Sequence, residues 1–209
     1  MDILEYIFFF IIMGGYNVLF IWKLPTVEEQ LKYYYYGIIS FNFLWTLGQF
    51  FWLLMEQFSL GLAYNIFYGL GNFFSYMAAT ILMFSVERYV FKKLKYIPTL
   101  LLAFFTIFAV AVVQYYGTFM QIVPTIGATA LIFIIPIIYY KIAAETESKT
   151  RIKAILMGSS LIIFGFGVIF NTYFFQSLIP IMEYVAPIIQ LVGAGIFNYT
   201  FIFYNISNK

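Results

Sequence analysis

Apolar positions in this chain gather into seven long runs: Leu4–Trp22, Tyr34–Met55, Leu60–Val86, Pro98–Tyr116, Gln121–Tyr140, Ala154–Phe175 and Glu183–Tyr204. Each is close to the roughly 20 residues that a helix needs to cross a bilayer core. The pattern predicts an all-α membrane protein, a seven-transmembrane-helix bundle forming one domain over residues 1–209. The six connections alternate in charge. Basic residues occupy the first (Lys23, Lys32), the third (Arg88, Lys92, Lys93, Lys95), the fifth (Lys141, Lys149, Arg151, Lys153) and the C-terminus (Lys209). The other connections and the N-terminus have none. Positive charge marks the cytoplasmic side, so the N-terminus is expected outside and the C-terminus in the cytoplasm of a multi-pass cell-membrane protein.

Composition agrees. The chain is 64% hydrophobic and 10% charged, against about 45–50% and 25% for soluble domains. The net charge of +2 conceals a split: Asp2, Glu5, Glu56 and Glu183 are expected outside, while all the bases and the remaining acids are expected inside. That basic rim would draw anionic membrane lipids. There is no Cys and no His. Disulfides, thiolate or imidazole metal sites, haem ligation and His-type bases are therefore excluded. No cofactor, no metal, no nucleic acid and no catalytic residue are expected. The first run is too long for a signal-peptide core and lacks a basic leader, so it reads as a retained helix.

The outer connections (near Glu56–Ser59, Gly117–Met120 and Gln176–Met182) are short, and the tail after Tyr204 is brief, so neither an extracellular ligand domain nor an output domain is expected. Within Lys141–Lys153 the spacings Glu145–Lys149 and Glu147–Arg151 suit i,i+4 ion pairs on helical extensions. This stretch reads equally as a solvated connection or as a docking surface. Tyrosines cluster at both expected membrane boundaries, where amphipathic rings partition. Pro124, Pro136 and Pro187 fall inside runs and predict kinks. Glycines at 69, 71, 165, 167, 193 and 195 permit close helix approach.

The second run carries a stripe of Asn42, Trp45, Gln49, Trp52 and Glu56, spaced 3, 4, 3, 4, which puts all five on one helix face. The third answers with Asn65, Tyr68, Asn72, Ser75 and Ala79. The sixth adds Ser159, Ser160 and Asn171, and the seventh adds Glu183, Gln190 and Asn198. Polar groups in lipid turn inward. These faces serve either as interhelical hydrogen bonds or as the wall of a small-molecule pocket. Candidate ligand-binding residues are Asn42, Trp45, Gln49, Trp52, Glu56, Asn72 and Glu183. The outer carboxylates Glu5, Glu56 and Glu183 suit a cation, an amine or proton sensing; equally, they are interfacial acids kept wet.

Glu87-Arg88-Tyr89 resembles the acid-Arg-Tyr motif of rhodopsin-like receptors. The chain lacks those receptors' Cys-Trp-x-Pro and Asn-Pro-x-x-Tyr motifs, and the seventh run has no Lys for a retinal Schiff base. A broader resemblance spans Phe41–Tyr96. The runs FLWTLGQFFWLLMEQF and SLGLAYNIFYGLGNFFSYMAATILMFSVERYVFKKLKYIP resemble the seven-helix sensor region of bacterial and archaeal histidine kinases. Leu44, Trp45 and Gly48 match its Leu-Trp-x-x-Gly pattern; Phe84, Glu87, Arg88, Lys92 and Lys93 match its helix-three ending. Members of that family usually continue into a sensor or kinase domain, whereas this chain stops. The resemblance implies a stand-alone sensor that binds a small or lipidic ligand and signals to a separate cytoplasmic partner. Glu87, Arg88, Lys92, Lys93, Lys149 and Arg151 are its candidate partner-binding residues. The alternatives are a non-catalytic accessory subunit packed against other membrane subunits and, behind it, a small-solute or ion transporter using Glu56 and Glu183.

Overall fold

The computed structural model describes residues 3–58, 61–90, 95–120, 133–171 and 173–203, with only the backbone described at 3–5, 30, 109, 112–120 and 173–174. Among the described residues every regular element is helical. They are α1 (Ile3–Lys23), a 3₁₀ turn (Leu24–Thr26), α2 (Glu29–Glu56), α3 (Leu62–Tyr89), α4 (Ile97–Met120), α5 (Ile134–Glu145), α6 (Ser148–Phe170), α7 (Tyr173–Leu178) and α8 (Met182–Phe203). Among the described residues, five stretches are long and apolar enough to cross a membrane: Tyr6–Thr26, Leu31–Glu56, Leu62–Tyr89, Ser148–Phe170 and Met182–Phe203. Large apolar side chains stand outward on them, among them Ile11 and Trp22. Such a surface is a liability in water and ordinary in lipid. The chain is a helical membrane protein.

The helices overlap six of the predicted runs, and they end for local reasons. Pro25 cannot continue α1, and the Thr26 hydroxyl donates to Lys23 O at 2.8 Å. The sixth run was expected to continue to Phe175. Instead α6 stops at Phe170, and Asn171 takes over, its Oδ1 accepting from Gln176 Nε2 at 3.0 Å within the next short helix. Most of the fifth run, including Pro124, lies outside the described residues. Pro136 sits in the first turn of α5, where a missing N–H costs little, and Pro187 lies inside α8.

The chain divides into two compact units, Tyr6–Leu131 and Ile132–Lys209 with Met1–Glu5. In the first, α2 packs on α3 and α3 on α4. Helix α1 joins α2 through side chains: the Tyr6 hydroxyl donates to Glu56 Oε1 at 3.0 Å, and Phe20 meets Tyr35 edge-on at 5.7 Å. Met13 on α1, Ile38 on α2 and Leu82 and Met83 on α3 are buried in this unit. In the second, α6 packs on α5 and α8.

Both units use small residues to bring helices together. A Cβ on Gly37 would collide with Ser85, one on Gly48 with Ser75, and one on Gly71 with the Trp52 indole. These contacts climb α2 as they descend α3, so the pair is antiparallel. In the second unit a Cβ on Gly193 would strike the backbone of Phe164, and one on Gly167 would lie 2.6 Å from Gln190 N. Gln190 Nε2 donates to Gly167 O at 3.1 Å across that seam. Without a hydrophobic force between helices in lipid, close backbone approach and such hydrogen bonds carry the packing. Gly71, Gly165, Gly167 and Gly193 thus sit at interfaces, while Gly69 has open space beside it.

The connection after α5 is helical on both sides but breaks at Thr146 and Glu147, both extended. Glu145 and Lys149 therefore stand on different helices, and the expected pair between them does not form as an i,i+4 contact. Glu145 pairs with Lys141 instead, at 3.9 Å. Glu147 precedes α6 in extended backbone, so it too lies off the helix that carries Arg151.

Candidate functional site

The stripe on α2 is turned inward along most of its length. Asn42, Trp45 and Gln49 are 0%, 2% and 1% exposed, and Trp52 is half-buried. On α3, Ser75 is buried and stands against Gly48. One helical turn from Ser75, the Trp52 indole covers Gly71. Gly48 precedes Gln49 directly, and Trp52 follows one turn later on the same face. The antiparallel register therefore sets Trp52 and Ser75 within one helical turn of each other along the α2–α3 seam, with buried Gln49 at the same level of α2.

Several hydroxyls of the first unit are satisfied locally: those of Thr46, Thr80, Ser85 and Thr106 donate to carbonyls one turn back at 2.7–2.9 Å. Gln49 Nε2, Trp52 Nε1 and Ser75 Oγ are buried and have no hydrogen-bond partner among the described residues. Ser75 has the same backbone option as Ser85 and does not take it. Leaving a buried donor unmade costs about 1–3 kcal/mol each, and a lipid surround offers no water to relieve it. The three groups comprise an amide N–H, an indole N–H and a hydroxyl. None titrates near neutrality, so the arrangement suits recognition of oxygen acceptors rather than proton transfer.

The remaining candidates are placed as follows. Glu56 ends the stripe at an exposed position, engaged by Tyr6. Asn72 is half-buried, and its Nδ2 donates to Tyr68 O at 3.0 Å, within its own helix. Glu183 is exposed at the start of α8, in the other unit. The Glu5 side chain lies outside the described residues. The spacing of the third run marks Ser75 as a stripe residue, but its place opposite Gly48 depends on the helix register, which spacing alone does not give.

At the far end of α3, Glu87 is turned inward at 1% exposure. Its Oε2 accepts from Thr99 N at 3.3 Å and from the Thr99 hydroxyl, tying α3 to the first turn of α4. Its other oxygen is buried without a partner. Glu87 is therefore a helix-end ligand beneath the surface, where a docking protein would not reach it. Arg88 is exposed, its guanidinium over the rings of Phe84 and Tyr89. Lys149 and Arg151 are exposed on the first turn of α6. Lys92 and Lys93 lie outside the described residues. Among the described residues no cluster of His, Cys, Asp and Glu is able to hold a metal ion.

No family model matches this chain, and neither does any curated protein or solved structure to which it was compared.

Proposed function

We propose that this protein is a receptor-like membrane protein that binds a small or lipidic ligand with hydrogen-bond acceptor oxygens between α2 and α3, and signals through a separate cytoplasmic partner. The observation that carries this reading is the set of buried, unpartnered groups on Gln49, Trp52 and Ser75. A helix pair built only for packing gains nothing from three unmade bonds, and an acceptor-bearing ligand removes the cost of all three. Trp45 and Asn42 extend the same face and supply an apolar ring and a further amide. The seven-span count, with the N-terminus outside and the C-terminus inside, belongs to this proposal and rests on the alternation of basic residues. In that orientation Lys149 and Arg151 face the cytoplasm, where they are available to a partner.

The second reading is an accessory subunit of a larger membrane complex. Bulky exposed aromatics, with Trp22 at 73%, favour it by offering packing surface. Gentle extraction from the source membrane followed by mass spectrometry separates the two. A small molecule retained by the full chain and lost from Gln49→Leu supports the receptor. Fixed-ratio recovery of other membrane subunits, with no such molecule, supports the accessory role.

A further inference from the structure

The end of α3 holds a second feature, independent of the α2–α3 seam. Arg88, Tyr89, Lys95 and Tyr96 line an open groove of about 640 Å³. Both cations are exposed, and neither makes an ion pair among the described residues. Arg88 is held rather than loose: its guanidinium lies 5.7 Å from the centre of the Phe84 ring and 5.5 Å from that of Tyr89. Tyr89 stacks in turn on Tyr33, and Phe84 on Tyr96. Stacking occupies the faces of a guanidinium and leaves its N–H edge to bind an anion. Lys95 and Tyr96 both adopt left-handed backbone, at φ 51° and 62°, a costly conformation for such residues. Lys95 and Tyr96 stand with Arg88 and Tyr89 around the groove. Glu87, the acid nearest in sequence, is buried and bonded to Thr99, so it does not neutralise the groove.

What lies next to the groove selects among anions. Helix α4 begins at Ile97 and presents Ile97, Leu100, Leu101 and Phe104 outward, at 59%, 66%, 44% and 60% exposure. Their spacing of i, i+3, i+4 and i+7 makes one continuous apolar strip. A free phosphate would use the cations and ignore the strip; a phospholipid uses both. We propose that this groove seats the phosphate of an anionic glycerophospholipid, with an acyl chain lying along the outer face of α4. Arg88, which the sequence suggested for a protein partner, then serves a lipid.

The test is native mass spectrometry of the full chain in mixed micelles titrated with phosphatidic acid or phosphatidylcholine. Phosphatidic acid is expected to bind in preference, as one saturable molecule. Arg88→Gln with Lys95→Gln should weaken that binding roughly tenfold or more, given the attraction of each base for anionic lipid. Lys149→Gln with Arg151→Gln, an equal loss of charge on α6, should leave it unchanged. Millimolar glycerol phosphate should not displace the lipid. The proposal falls if both double variants weaken binding alike, if phosphatidylcholine binds as well, or if glycerol phosphate competes at the same concentration as the lipid. Should the first double variant not fold, Lys95→Gln alone, at an exposed turn, carries the test with an expected loss of about fivefold.

Discussion

The Trp52 indole fills the space that a side chain at position 71 would need. Gly71 is thereby committed to glycine by its neighbour across the seam rather than by its own backbone, which is helical. Gly71→Ala should displace the indole and cost about 1–3 kcal/mol by overpacking. In a chain of this size that is a fall of several degrees in the thermal midpoint in detergent. Gly69→Ala, two residues away with open space around it, should leave the midpoint unchanged or raise it slightly, since alanine favours helix.

The second unit supports a sharper version of the same argument. Gly193 presses on the Phe164 backbone and the Ser160 carbonyl, which cannot swing aside as an indole can. Gly193→Ala should therefore destabilise more than Gly71→Ala. Gly158→Ala, whose nearest neighbours would lie at an easily relieved 3.4 Å, should cost the least of the three. Thermal unfolding of the three variants side by side gives the order.

Glu87 and Arg88 are adjacent in sequence and opposite in role. Glu87→Ala strips the acceptor from Thr99 N and its hydroxyl at the start of α4, and should cost about 1–3 kcal/mol as those donors are left unmade. Arg88→Ala, at the surface, should change stability little. A comparable loss from both would mean that Glu87 does not anchor α4.

Much of this arrangement was legible in the chain. The 3, 4, 3, 4 spacing on α2 marked Asn42, Trp45 and Gln49 as one inward face, because a polar group in lipid has nowhere else to go. Glycines at 71, 167 and 193 announced close packing. What spacing could not supply was register. Gly48 opposite Ser75, and Trp52 opposite Gly71, follow from how two helices slide on each other, and that is set by shape on both sides at once. Asn72 adds a local bond that spacing does not reveal: its position belongs to the stripe, and its amide nitrogen donates within its own helix. The pair expected between Glu145 and Lys149 assumed an unbroken helix, and two extended residues at 146 and 147 remove that assumption. Glu87 looked like part of a charged rim because its partner, Thr99, lies twelve residues on, beyond any local pattern.

Removing an unmet polar group should relieve a cost that only a ligand otherwise relieves. Ser75→Ala and Gln49→Leu are thus expected to be at least as stable as the wild type once both have been stripped of small molecules. Each trades an unmade bond for an apolar contact. Trp52→Phe should behave likewise, because it keeps the ring over Gly71 and loses only the N–H.

The most direct measurement is the thermal midpoint of the full chain and of Gln49→Leu, each recorded before and after exhaustive detergent washing. If the buried groups of Gln49, Trp52 and Ser75 hold a ligand, washing lowers the wild type by several degrees and leaves Gln49→Leu where it was, so that the washed variant equals or exceeds the washed wild type. Parallel falls in both proteins, or no fall in either, would contradict a ligand at this seam.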